Sequence, residues 1–480
     1  MKIPQILTAL FPLLFTLPTS ANIGEPQQNL KVAEPKNAEP KKAEQEVSLQ
    51  GQNQPPLHLS EADLKHNLAL TQQLLSQAIY ARELQLIEQL LAIYKTFPHT
   101  DPLLIQFAEA KLAALKGEFS KAIRVYRDML AERADLNPVR IELAIALFND
   151  KQNTAATEQF QKALSAPATP APVQQLIKAY LEALQEREAW QISASAYYVR
   201  DTNVNNTADS RNIEQTGYVK NDDMMPQTAH GMAYNVSLGK DFNLGNRYYL
   251  GFENDLSGKS YWDNHDYDDI YNRTSLGLRY KTAQSTLSLM PFYEKRGYGG
   301  ESYQWANGAR LELSHWLNPN WQLSSAAEFA KQRYFKSQAQ NGKRKLISAT
   351  LVWARTPRQF FYLGGDFNRE TTQVKQYGSD TKSLRLGWGQ EWGKGISSRL
   401  AFGISQRHYK DKAVLGGLIA LGKVRKDRIF NVNFTLWKRD WHVFGITPKL
   451  QFSYRKQKSN IPTLYSYNRQ SLNVIFEKTF

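Results

Sequence analysis

At 480 residues with a formal net charge of +15 and no cysteine, the chain is long enough for more than one domain and strongly basic, and it can form neither a disulfide nor a thiolate metal site. Beyond its first 21 residues it has no apolar run long enough for a membrane-spanning helix. Membrane insertion would therefore require a closed barrel of strands, the other form that satisfies every backbone group in lipid.

The first element reads as an export signal. Lys2, the apolar stretch from Ile6 to Leu17 and the small-residue site Thr19-Ser20-Ala21 predict cleavage after Ala21. The apolar stretch is too short to span a bilayer and is interrupted by Pro12, and no Cys follows to carry a lipid. Residues 22–56 are rich in Pro, Glu, Lys, Gln and Ala, with near-repeats AEPK at 33–36 and 38–41. So little apolar surface cannot offset the entropy of ordering, and a disordered linker is expected.

Residues 57–188 lack Trp and place Ala and Leu at helical spacing. Three residue pairs recur at an offset of 34: Ala122 with Ala156, Tyr126 with Phe160, and Pro138 with Pro172. That is the tetratricopeptide (TPR) period, in which a small residue lets two helices approach, an aromatic fills the gap and Pro begins the next unit. AKLAALKGEFSKA (110–122) and LAIALFNDKQNTAA (143–156) overlay as helix, turn, helix. Ile87, Leu91 and Tyr94 suggest an earlier, degenerate unit, and Val173–Leu184 a closing helix. Stacked repeats present a concave surface, for which a polypeptide is the default ligand.

Residues 189–480 hold all ten Trp and divide into fourteen alternating segments, beginning near Trp190, Met232, Tyr248, Ile270, Thr286, Asn307, Trp321, Leu346, Phe360, Lys382, Ser397, Ile429, His442 and Ser471. Short turns such as NLGN (243–246), LNPN (317–320), RTPR (355–358) and GKGI (393–396) follow even segments. Long loops, including 200–230 and 407–428, are expected after odd ones. This asymmetry and an even strand count predict an antiparallel outer-membrane β-barrel with both ends in the periplasm. Its closing segment alternates Leu472, Val474 and Phe476 and finishes on Phe480, the pattern of a barrel-assembly signal, although Lys478 breaks it. Phe430, Val432, Phe434 and Leu436 should face lipid while Asn431, Asn433 and Thr435 face the lumen. Leu384, Leu386 and Trp388 should likewise lie opposite Arg385, Gly387 and Glu391. Trp353, Trp392, Trp437 and Trp441 suit an interfacial girdle. Fourteen strands enclose more space than their side chains fill, leaving a water-filled channel or one plugged by loops.

The resulting fold class is α plus transmembrane β: a signal peptide (1–21), a linker (22–56), a periplasmic TPR-like helical domain (57–188) and a 14-stranded barrel (189–480). Residues 22–188 carry 18 Lys and Arg against 21 Asp and Glu, whereas residues 189–480 carry 41 against 24. Basicity thus belongs to the barrel, where it points to anionic lipopolysaccharide, an anion-favouring lumen or passage of an acidic polypeptide, and not to nucleic acid. Chemistry-bearing motifs are scarce. Gly417–Lys423 spells a phosphate-loop pattern, but Val424 stands where Mg²⁺ binding needs Ser or Thr. Asp263, Asp266, Asp268 and Asp269 around His265 do not match calcium-loop spacing. No catalytic, cofactor-binding or metal-ligating set is expected, and the chain does not read as an enzyme.

Several strings resemble the surface lipoprotein assembly modulators, or Slam proteins, of Gram-negative bacteria: YQWANGARL (303–311), HWLNPNWQ (315–322), LGWGQEWG (386–393), RHYKDK (407–412), FGITPKL (444–450) and FEKTF (476–480). The resemblance covers most of residues 80–480. It implies an outer-membrane translocon that moves a client lipoprotein or haemophore to the cell surface, with the barrel-assembly machinery as a further partner. The residues themselves leave two alternatives open. One is an exopolysaccharide exporter of TPR-barrel type, which usually carries a longer repeat array; the other is a plain porin, which leaves the repeats unexplained.

Overall fold

The computed structural model describes residues 64–166, 169–214, 216–415 and 419–479. The signal with Ala21, the linker 22–56 and Phe480 lie outside the described residues. Seven helices come first: α1 (Leu68–Ala81), α2 (Leu84–Tyr94), α3 (Pro102–Leu115), α4 (Phe119–Glu132), α5 (Asn137–Asn149), α6 (Asn153–Leu164) and α7 (Ala171–Glu188). Local chemistry sets their ends. Asn67 and Asp101 accept hydrogen bonds from the first-turn amides of Leu70 (3.0 Å) and Leu103 (2.9 Å). Pro138 and Pro172 lie in the first turns of α5 and α7, where the missing N–H had no helical partner to lose.

The helices pack in chain order, each on the next, and α7 closes the array. Ala122 and Ala156 are fully buried, so α4 and α6 can approach their partner helices closely, and fully buried Tyr126 and Phe160 fill the remaining space. Phe160 stacks on Tyr180 of α7 with ring centroids 5.0 Å apart. Lys111 of α3 and Glu142 of α5 add a largely buried ion pair at 2.6 Å. Burial drives the Tyr126 hydroxyl far above its ordinary pKa. That hydroxyl has no hydrogen-bond partner among the described residues.

Fourteen strands follow: β1 (Gln191–Asp201), β2 (Ala229–Gly245), β3 (Tyr248–Tyr261), β4 (Asp269–Lys281), β5 (Ser285–Tyr298), β6 (Glu301–Asn318), β7 (Trp321–Tyr334), β8 (Gly342–Thr356), β9 (Gln359–Thr372), β10 (Ser379–Glu391), β11 (Ile396–Leu415), β12 (Ile419–Lys438), β13 (Ile446–Ser459) and β14 (Tyr467–Thr479). Each pairs antiparallel with its sequence neighbours, and β14 meets β1 to close the barrel. The end carrying the helices and both barrel termini is termed proximal and the opposite end distal.

The faces alternate strictly. Leu384 and Leu386 are exposed on the outer surface while Arg385 between them is buried in the lumen; Asn431 and Asn433 point inward, bonding to Arg455 (3.2 Å) and Ser453 (2.8 Å). At the proximal edge, Trp321, Trp353 and Phe361 stack in a row across β7, β8 and β9, with centroids 5.7 and 5.6 Å apart. The LGWGQEWG string has a packing explanation. The rings of Tyr362 and Phe360 on β9 lie over Gly387 and Gly389 of β10, and a Cβ on Gly387 would sit 1.9 Å from the Tyr362 ring.

Three expectations require correction. The predicted long distal loops are absent apart from 202–228: the described connections 262–268, 299–300, 335–341, 373–378 and 460–466 are seven residues or shorter, as is proximal 439–445. Residues 407–415 and 419–428 belong to the paired strands β11 and β12, because both continue to alternate beyond the apolar band, with register shifts between His408 and Val414. For the same reason β6 and β12 begin at Glu301 and Ile419, upstream of the expected Asn307 and Ile429. Trp437 does not join the girdle: it shares inward parity with Asn431, Asn433 and Thr435 and is buried beneath the Arg399 and Lys449 cations at 5.0 and 5.4 Å.

Candidate functional site

The proximal mouth is where the two parts of the molecule meet. The α5–α6 turn carries Asp150 and Lys151, the β2–β3 turn carries Arg247, and the two turns interlock. Arg247 donates to the Asp150 carboxylate through Nε (2.8 Å) and Nη2, to Ser120 Oγ (2.8 Å), and to Tyr280 Oη (3.3 Å). Burial opposes the Arg247 charge, but the hydrogen bonds to Asp150 and Tyr280 outweigh it and raise its pKa. Tyr249 Oη donates to the Lys151 carbonyl (2.5 Å), and Thr154 Oγ1 to Asn243 Oδ1 (2.6 Å). Arg187 at the end of α7 stacks 3.6 Å over the Phe148 ring and donates to the Phe148 carbonyl (2.9 Å). Burial lowers its pKa to about 10. The repeat array is thereby held against the barrel rim by charged and polar contacts.

Inside, the wall from β4 to β8 is filled by a charge network. Arg273 donates to Glu294 (2.9 Å) and Glu328 (3.0 Å). Arg344 spans the same carboxylates at 3.0 and 2.8 Å. Arg310 reaches Glu328 (3.3 Å) and Glu312 (2.6 Å). Three guanidiniums thus face three carboxylates across five strands, and charges so shielded from water persist only when paired. On β9 and β10, Arg385 forks onto Asp366 at 2.7 and 2.9 Å. Small polar side chains dominate elsewhere: Ser195, Asn235 and Ser257 on β1–β3, and Asn433, Ser453, Ser471 and Asn473 on β12–β14, all half-buried. Among the described residues, this second wall also carries ion pairs, Asp201 with Arg469 and Lys259, Lys449 with Glu477, and Arg425 with Asp427, but these stay local and do not join into one network across five strands.

At the distal end, the described residues between β1 and β2 (202–214 and 216–228) fold inward. Val204 packs on lumen-facing Val199, Ala229, Ala233 and Tyr261. Ile213 joins Leu421 of β12 and Ile461, Leu464 and Tyr465 of the β13–β14 connection. Asn203 and Thr207 hydrogen-bond each other across the bend (2.8 and 3.0 Å). The acidic loop satisfies its own groups: Asp263 accepts from the His230 amide (2.7 Å), Asp268 contacts the His265 ring (2.9 Å), and Asp269 pairs with Arg296. The described part of the phosphate-loop-like string, Ile419–Lys423, is strand β12.

Outside, just distal to the apolar band, like charges lie directly opposite one another: Lys331 with Lys343, Lys345 with Arg369, and Arg428 with Lys458. Such cross-strand pairs are unfavourable without a counterion, which Arg369 has in Asp380 (2.9 and 3.0 Å).

The predicted site residues divide accordingly. Ala122, Tyr126, Ala156 and Phe160 lie inside the repeat core, whereas Pro138 and Pro172 are exposed at helix starts. Leu472, Val474 and Phe476 project from the outer face of β14. The charge network and the Asp150–Arg247 lock were not anticipated. Charged residues at inward parity, such as Glu294 and Arg296 or Glu328 beside Phe329, were the available signal.

Comparison with known proteins follows the same division. Residues 190–480 match the family model described as surface lipoprotein assembly modifier, and residues 57–160 match the model for that family's N-terminal TPR repeats. A surface lipoprotein assembly modifier of Pasteurella multocida is 35% identical over 95% of this chain and 90% of its own length. Surface lipoprotein assembly modifier 1 of Haemophilus influenzae is 36% identical over 90% of this chain and 89% of its own. The hemophilin secretion modulator of Acinetobacter baumannii is 26% identical over 81% of each chain.

Proposed function

Because this chain belongs to the surface lipoprotein assembly modifier family, a family of the Gram-negative outer membrane, we propose that it carries a lipoprotein or a secreted haemophore from the periplasm to the cell surface. The observation that carries this reading is the docking of the repeats. Asp150, Lys151 and Thr154 hold the peptide-binding type of domain on the barrel rim, so a captured client is delivered at the mouth. The client then follows the small polar wall of β12–β14 and β1–β3. No ATP is present in the periplasm, and folding of the client outside draws the equilibrium outward. The chain acts as a translocation factor and not as an enzyme.

In this reading residues 57–188 form the periplasmic capture domain, the 22–56 linker lets it approach arriving clients, and cleavage after Ala21 frees the mature chain. Leu472, Val474 and Phe476, with Phe480, supply the signal read by the barrel-assembly machinery. The like charges at Lys331, Lys343, Lys345, Arg428 and Lys458 take lipopolysaccharide phosphates as their counterions.

Co-expression in a host lacking the protein tests the reading. With the cognate lipoprotein or haemophore present, the client should become accessible to antibody on intact cells or appear in the medium. An unchanged periplasmic client refutes it, and a newly secreted polysaccharide in its place would identify an exporter instead.

A further inference from the structure

The junction between β1 and β14 differs from the rest of the barrel. Every other junction has eleven or more registered pairs; β1 itself pairs with β2 from Gln191↔Gly239 to Asp201↔Ala229. Against β14, pairing covers only Ser193↔Thr479 to Ala196↔Phe476 and then stops. Residues 197–201 remain extended, and β14 continues to Tyr467, yet the distal half of this seam has no ladder register.

Side chains and loops close the gap instead. Arg469 Nη1 donates to Asp201 Oδ2 across the seam on the lumen side (2.9 Å), with Lys259 4.0 Å from the same oxygen. Above it, the Ala208 amide donates to the Leu464 carbonyl and the Glu214 amide to Thr463 Oγ1, both at 3.4 Å. The wall from β4 to β8, by contrast, is cross-braced by the Arg273, Arg310 and Arg344 network. The small polar side chains of the lumen flank the weak seam on both sides.

We infer that the distal half of the β1–β14 seam is a lateral exit through which the acyl chains of a lipid-anchored client pass from the lumen into the outer leaflet. This inference rests on the translocation reading above. A lumen lined by Ser, Asn, Arg and Glu is a poor solvent for acyl chains, whose hydrophobic cost of exposure grows with every methylene. Opening the seam requires breaking the Arg469–Asp201 latch, two loop bonds and the packing of Ile213 on Ile461, Leu464 and Tyr465, and leaves the ladders of the other thirteen junctions intact. The outer side chains beside the opening, Tyr198, Leu472 and Val474, are apolar in body, so emerging chains meet a surface matched to lipid.

The cysteine-free chain allows a direct test in outer membranes. Val199→Cys with Asn473→Cys, which would face each other if the register continued, locks the seam. Lys456→Cys with Asn468→Cys, a registered β13–β14 pair on the outer face, is the control. Each pair is closed by oxidation or by a short bismaleimide, and surface display is measured for a lipidated client and for the same client lacking its lipid. The lock should lower display of the lipidated client at least tenfold, reversibly on reduction of the disulfide, while the unlipidated client and the control stay within twofold of the open protein. Equal display by locked and open protein overturns the exit. So does a lock that stops both clients alike, which would indicate general stiffening. Failure of the 199–473 pair to cross-link while the control does would also overturn it, because a gate needs a closed state. If the open protein exports neither client, the translocation reading itself has failed.

Discussion

Replacing Glu328 by Gln should destabilise the barrel more than any surface charge removal. Its carboxylate accepts from Arg273 (3.0 Å), Arg344 (2.8 Å) and Arg310 (3.3 Å), with a side chain 1% exposed. The local set of Arg273, Arg310 and Arg344 against Glu294, Glu312 and Glu328 is neutral, so Gln leaves one uncompensated positive charge out of contact with water. A charge contact at 4 Å is worth about 4 kcal/mol at an effective dielectric of 20, partly offset by desolvation already incurred. Removing one partner from a buried pair typically costs about 3–5 kcal/mol, and that is the expected loss. Urea unfolding of the barrel in detergent micelles, followed by Trp fluorescence and by the folded-to-unfolded gel shift, measures it. Glu301→Gln serves as the reference, since its pairing with Lys336 is exposed and worth about 0–1 kcal/mol. A Glu328→Gln barrel within about 1 kcal/mol of the Glu301→Gln variant would refute the view that the network braces β4–β8.

Arg at Val432, on the lipid face, should cost about 2–4 kcal/mol, whereas Arg at Asn433 should fold in near-normal yield in the same liposomes; the reverse order would mean that the register is shifted by one residue. Phe160→Ala should lose about 3–5 kcal/mol of stability in the helical repeats by thermal melting of helix circular dichroism. Tyr126→Phe should be neutral or stabilising by about 1 kcal/mol in the same melt, because its buried hydroxyl has no partner among the described residues. Asp150→Ala should free Arg247 at a cost of about 1.5–3 kcal/mol and speed amide exchange in the α5–α6 turn about tenfold or more, measured by hydrogen exchange.

Much of this architecture was legible because two periods dominate the sequence. The 34-residue offset places Ala122, Tyr126, Ala156 and Phe160 at equivalent helical positions, and the two-residue alternation orients Phe430–Leu436 without ambiguity. Strand ends were harder to read, because beyond the apolar band a barrel strand is polar on both faces. His408, Lys426 and Arg428 then look like loop residues although their backbone stays in the ladder. Trp437 shows residue type overriding parity: its position already pointed inward, but an aromatic near a strand end suggested the girdle. The charge network was hidden for a different reason. Glu294, Arg310, Glu328 and Arg344 are far apart in sequence, and only strand register and barrel curvature bring them together.

The central claim is that the client travels through the lumen, past the small polar wall. A photoreactive residue at Asn433 or Ser453, illuminated during export of the client, should yield covalent adducts between client and barrel, while the same probe at lipid-facing Val432 should yield none. Adducts at Val432 alone, or none at Asn433 and Ser453 while export proceeds, would contradict the account.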